Sequence, residues 1–145
     1  MRISRILLAL TAAAALQGLA AAPVAAQAVS AGGIYGVWRN PKNTVHVDVR
    51  PCGASACGYV VWADADAQAD ARKGGTPDLI GLQLFRNFNQ QANGRWRGRV
   101  FVPDLNATFS GAAELIDEDR LRARGCLIAN IACKSQVWVR VAAPR

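Results

Sequence analysis

Short runs that alternate polar and apolar residues, each ended by turn chemistry, fill this chain from Ile34 onward. Alternation with a period of two sends successive side chains to opposite faces and specifies half-buried strands. Thr44–Arg50 is the cleanest case, with Val45, Val47 and Val49 set between Thr44, His46, Asp48 and Arg50. Arg95, Arg97 and Arg99 alternate with Trp96, Gly98 and Val100, and Arg120, Arg122 and Arg124 with Leu121, Ala123 and Gly125. Ile34–Arg39, Cys57–Trp62, Leu82–Phe88, Thr108–Ile116 and Ser135–Val141 bring the strands to eight. Turn residues join them at Asn40-Pro41-Lys42-Asn43, Asn93-Gly94, Pro103-Asp104-Leu105-Asn106 and Asp117-Glu118-Asp119. Ala63–Pro77 is the one long connection and reads as a solvated loop, with only a weak pattern for a short helix. This arrangement predicts an all-β, eight-stranded antiparallel up-and-down barrel, preferred over a sandwich because closure removes exposed edges.

The N-terminus departs from this pattern. Arg2 and Arg5 precede the apolar run Ile6–Leu19, and small residues continue to Ala26-Gln27-Ala28. That is the layout of a cleaved signal peptide, residues 1–28, leaving a single domain over 29–145. A retained membrane anchor is the rival, but Gln17, Gly18 and Pro23 interrupt the apolar stretch. The full chain of 145 residues carries 17 Lys and Arg against 10 Asp and Glu, a net +7. Losing the two leader arginines leaves the body with 15 against 10, or +5. Export to a periplasmic or extracellular location follows, with no transmembrane span after processing.

The cysteines agree with export. Cys52 and Cys57 bracket four residues and Cys126 and Cys133 bracket six. Four cysteines permit three pairings, and the two local ones place a disulfide across the mouth of a hairpin. A zinc site would be expected to use C-x2-C spacing, and an oxidising compartment favours disulfides. No metal or other cofactor is expected.

Gly36-Val37-Trp38 in the first strand and Trp138-Val139-Arg140 in the last resemble the lipocalin and wider calycin pattern. That resemblance implies a structural set of Gly36, Trp38 and Arg140, with the arginine laid over the tryptophan at a closed barrel end. The chain as a whole resembles an uncharacterised family of small exported bacterial proteins, the domain-of-unknown-function family twenty-one forty-seven. The stretches that carry this are Pro51-Cys52-Gly53 with Cys57–Trp62, Leu79-Ile80-Gly81-Leu82, Gly94–Gly98, Arg124-Gly125-Cys126 and Gln136–Arg140, in order along the mature chain. The family implies a fold and no established activity. Its turn before the sixth strand often has a Gly. Here Pro103–Ala107 has none, so Asn106 is the residue expected to turn left-handed.

Chemistry is sparse. His46 is the only histidine and lies on the polar side of its strand, a solvated position before it is a general base or metal ligand. The cysteines are taken by disulfides, and Asp64, Asp66 and Asp70 lack the Gly and terminal Glu of a calcium loop. A non-enzymatic protein is expected. An eight-stranded barrel is either filled by its side chains or able to hold one small ligand. In the second case Tyr59, Trp62, Phe85 and Trp96 are candidate lining for a small apolar or amphipathic molecule. The alternative is an envelope-interaction or inhibitor protein with a filled barrel. Its docking face would be Arg95, Arg97, Arg99, Arg120, Arg122 and Arg124, turned toward an anionic envelope component. Nucleic acid is not an expected partner.

Overall fold

A computed structural model describes residues 33–128 and 131–141. The expected signal peptide and its cleavage point lie outside the described residues. Eight antiparallel strands close into a barrel in sequence order, β1 to β8. They are β1 (Gly36–Arg39), β2 (Val45–Cys52), β3 (Ser55–Ala63), β4 (Gln83–Gln90), β5 (Trp96–Val102), β6 (Ala107–Leu115), β7 (Arg120–Ile128) and β8 (Ile131–Arg140). β1 and β8 complete the circle through Trp38 opposite Arg140 and Arg39 opposite Val139. Both disulfides form, Cys52 to Cys57 and Cys126 to Cys133. Cys126 and Cys133 are direct cross-strand partners, because β7 and β8 run further than the alternation to Gly125 and from Ser135 had suggested.

The long connection is not a loop. Ala65–Lys73 forms helix α1. The Asp64 carboxylate caps it, accepting from the Ala67 N–H at 2.8 Å, while Asp66 lies in the first turn and Arg72 and Lys73 in the last. Both charge placements favour the helix dipole. Of the aspartates that resemble a broken calcium loop, Asp64 and Asp66 are therefore helix-start residues, and Asp70, further along the helix, pairs with Lys73. A 3-10 turn, Pro103–Leu105, links β5 to β6, and Asn106 after it takes φ 46°.

Trp38 is fully buried. Its Nε1–H donates to the Ile34 carbonyl at 2.8 Å, and the Arg140 guanidinium lies 4.1 Å from its ring centroid. Arg140 donates as well to the carbonyls of Gly33, Tyr35 and Glu118, so it ties chain segments more than 100 residues apart. Every nitrogen of that guanidinium has a carbonyl acceptor, as a half-buried cation requires.

Candidate functional site: a filled barrel with an arginine groove outside

β4 decides what the interior can hold. A register shift between Arg86 and Asn89, with Asn87 at φ 51°, breaks the alternation of the strand. Phe85 and Phe88, three residues apart, then both turn inward, with ring centroids 5.7 Å apart and Phe85 equally close to Trp138. These rings lie on glycines. A Cβ on Gly58 would meet Phe85 Cδ2 at 2.5 Å, one on Gly98 would meet Phe88 Cδ2 at 2.5 Å, and one on Gly111 would meet Phe88 Cζ at 2.9 Å. The space left among Ile34, Val49, Phe85, Phe88 and Leu121 is about 10 Å³, the size at which one water just fits.

The four aromatic candidates for a lining therefore separate. Phe85 is core. Tyr59 is turned to the outer face under the Arg50 guanidinium, 4.2 Å from its centroid. Trp62 is 42% exposed and packs on His46 outside the barrel, with centroids 4.6 Å apart. Parity in β3 already separates Tyr59 from the inward Val60. Trp62 shares parity with Val60, but the register shift between His46 and Val47 rotates it outward. Trp96 alone borders a large open space, a cleft of about 670 Å³ at the N-terminal end of the barrel. Ile34, Tyr35, Arg95, Glu114 and Leu115 also line this cleft. Tyr35 and Trp96 meet edge to face there, 6.0 Å apart.

Among the described residues His46 has no carboxylate bonded to it to orient it. Its Nε2 lies 2.8 Å from Asn43 Oδ1, and burial, followed by the charge of Arg39, holds its pKa below the ordinary value. Among the described residues no three His, Cys, Asp or Glu side chains gather as metal ligands.

The outer face of β5, β6 and β7 is a different matter. Cross-strand register sets Arg97 beside Ala112 and Ala112 beside Arg124, and one row along sets Arg99 beside Ser110 and Ser110 beside Cys126. In the opposite direction Glu114 stands beside Arg122 and receives Arg95 as well, at 2.6 Å and 2.7 Å. The Arg122 hydrogen bond, reinforced by Arg95, holds the Glu114 carboxyl below the usual carboxylate range. Arg120 bends back to Asp117 of its own turn at 2.6 Å. So three of the six arginines are ion-paired locally, on two carboxylates, while Arg97, Arg99 and Arg124 make no ion pair among the described residues. Because Ser110 and Ala112 are small, the arginines stand on either side of a trough rather than a ridge. The resulting groove has a volume of about 170 Å³, lined by Arg95, Arg97, Arg122 and Arg124 with Glu114 at one end and Ser135 on its rim. Guanidinium groups converging on such a groove suit an oxyanion, which accepts their paired N–H donors in plane.

Comparison with known proteins agrees with the barrel. The chain is similar to protein HP1028 from the human pathogen Helicobacter pylori, described as belonging to the lipocalin family. The two share 11% identity at a TM-score of 0.59, covering 74% of this chain and 82% of that one. That likeness is one of fold. No curated protein matches the sequence. The bacterial family described as "Uncharacterized protein conserved in bacteria (DUF2147)" matches residues 36–140, from the Gly36-Val37-Trp38 strand to the arginine that covers its tryptophan, and the chain belongs to that family.

Proposed function

We propose that this protein works in an exported compartment as a non-enzymatic binding protein, with the β5–β7 groove taking the anionic group of an envelope component. The observation that carries this reading is the pair Arg97 and Arg124, set across Ala112 with no acidic partner among the described residues. Both disulfides support an oxidising location, and no described helix is long and apolar enough to cross a membrane. The filled interior leaves a buried ligand little room.

Titration with inorganic polyphosphate tests the groove. Binding should weaken steeply as salt rises, since exposed charges are screened within about 10 Å at 0.1 M salt. The double variant Arg97→Ala/Arg124→Ala should lose it by about tenfold or more, as two charge-assisted contacts disappear. Binding that ignores both salt and the variant would sink the proposal.

A second reading rests on the cleft at the N-terminal end. There Tyr35 and Trp96 offer an apolar wall beside Arg95, a fit for a small amphipathic acid. Quenching of tryptophan fluorescence by a medium-chain fatty acid, abolished in Trp96→Ala, would favour it. Undisturbed quenching in that variant would count against it.

A further inference from the structure

In an up-and-down barrel the connections that follow β1, β3, β5 and β7 share one end. Among the described residues, all the exposed large apolar ones except Val137 lie at that end: Val61 and Trp62 closing β3, Ile80 before β4, Leu105 before β6, and Leu127, Ile128 and Ile131 on the β7–β8 hairpin. The hairpin is the most exposed of these, with Ile128 and Ile131 each 67% accessible and in register with one another. Its last pairing with β6 is Cys126 opposite Ser110. Beyond that row the two strands pair with each other and, among the described residues, no longer with β6, held together at their base by the Cys126–Cys133 disulfide.

The charges behind the tip are arranged in order. Arg122, furthest from it, is paired with Glu114, which it shares with Arg95. Arg124 and Arg99, closer to it, make no ion pair among the described residues, and Lys134, opposite Gly125, is exposed on the other face of the hairpin. Four of the acidic residues described at this end, Asp64, Asp66, Asp70 and Asp78, gather on the α1 connection between β3 and β4, across the barrel order from β7 and β8, and Asp104 lies on the β5–β6 turn.

We propose that the β7–β8 hairpin seats this protein on an anionic lipid bilayer. Leu127, Ile128 and Ile131 enter the acyl region, while Arg99, Arg124 and Lys134 meet the headgroup phosphates. A bilayer is the occupant that fits because apolar groups stand exposed on both faces of the hairpin beyond its pairing with β6, with cations behind them on each face. Arg99 and Arg124 lie on the outer one and Lys134 on the other, the layering of acyl chains beneath anionic headgroups. This deepens the groove reading, since it names the headgroup as the anion that the arginine face meets.

Co-sedimentation of the oxidised protein with vesicles of phosphatidylglycerol and phosphatidylethanolamine tests it, with phosphatidylcholine vesicles as the neutral comparison. The protein should sediment with the anionic vesicles and not with the neutral ones. Ile128→Asp/Ile131→Asp should weaken that binding by at least about tenfold, because each isoleucine withdrawn from hydrocarbon is worth about that factor. The same variant should bind inorganic polyphosphate as the wild type does, which shows that it folds and keeps its groove. Ile128→Trp should show a blue-shifted emission on anionic vesicles. Vesicle binding untouched by the aspartates overturns the inference, as does polyphosphate binding without vesicle binding, which leaves the groove reading standing. Loss of both ligands in the wild type overturns both. A concentration-dependent dimer that the aspartates abolish, with no vesicle binding, assigns the tip to self-association instead.

Discussion

The two faces of β5, β6 and β7 are built from the same alternating residues and do opposite things. Inward they present Gly98 and Gly111, small enough for Phe88 to lie against the backbone, together with Ala113 and Ala123. Outward they present the arginines, with Ser110 and Ala112 as the floor between them. Small residues thus serve on both sides. Inside they let two bulky rings fill the barrel, and outside they turn a charged surface into a groove. The lesson is that a barrel of the size that could carry a ligand has surrendered its interior to packing and keeps its open binding chemistry on its exterior and rim. Such a division implies that stability and binding respond to different substitutions.

The largest effect belongs to the sealed side. Trp38→Ala should lower the unfolding free energy by about 3–5 kcal/mol in urea, since it empties a fully buried aromatic site and strips Arg140 of its cation–π partner. A loss below about 1 kcal/mol would break the comparison at its root. Next comes Gly98→Val. Its Cβ would collide with Phe88 Cδ2 at 2.5 Å and with the Arg86 carbonyl at 2.7 Å, so a loss of about 1–3 kcal/mol is expected with polyphosphate binding retained at low temperature. Tolerance of valine there would show an interior with room to give, and would restore the case for a buried ligand.

On the outer side the effects should be reversed. Glu114→Gln releases Arg95 and Arg122 to the groove, so affinity for polyphosphate should rise severalfold while stability falls by less than about 1 kcal/mol, as for other exposed pairs. The sign with pH follows from its lowered pKa. The ion pairs stabilise the native state fully above the ordinary carboxyl value of 4.5 and lose that contribution as pH falls through the lower folded value. Wild type and Glu114→Gln should therefore converge in urea midpoint in acid and separate toward neutrality. A gap that widens in acid would contradict this account. The smallest stability effect is expected for Arg97→Ala, within about 0.5 kcal/mol by chemical denaturation, because its guanidinium makes no ion pair among the described residues. A larger loss would mean that the arginine is structural and would weaken the groove as a site.

Alternation made much of this readable in advance. Strands with one valine-lined face and one charged face, such as Val45 to Arg50, leave little choice of register, because a slip by one residue would bury every charge. Three features escaped for local reasons. Asp64 reads as a loop acid until the Ala67 N–H that it caps is known. Trp62 and Phe88 escaped because single-residue register shifts, in β3 and β4, change a side chain's face without changing the strand's composition. The apolar tip had a visible signal in Leu127, Ile128 and Ile131 between two cysteines, but it takes the topology to show that it parts from β6 near Arg99 and Arg124.

What the sequence determined by itself was the pairing partners: eight strands, two local disulfides, and two arginine ladders flanking one strand. These depend on interactions between residues close along the chain or on side-chain parity, and both are written in the order of the residues. What the tertiary structure alone decided was occupancy. Whether the barrel holds a ligand or its own phenylalanines turns on a bulge at Arg86–Asn89 and on glycines from three other strands meeting two rings at one point. Whether an arginine is spent or available turns on where Glu114 and Asp117 fall across the sheet. Both are coincidences of atoms far apart in sequence, and only the closed barrel brings them together.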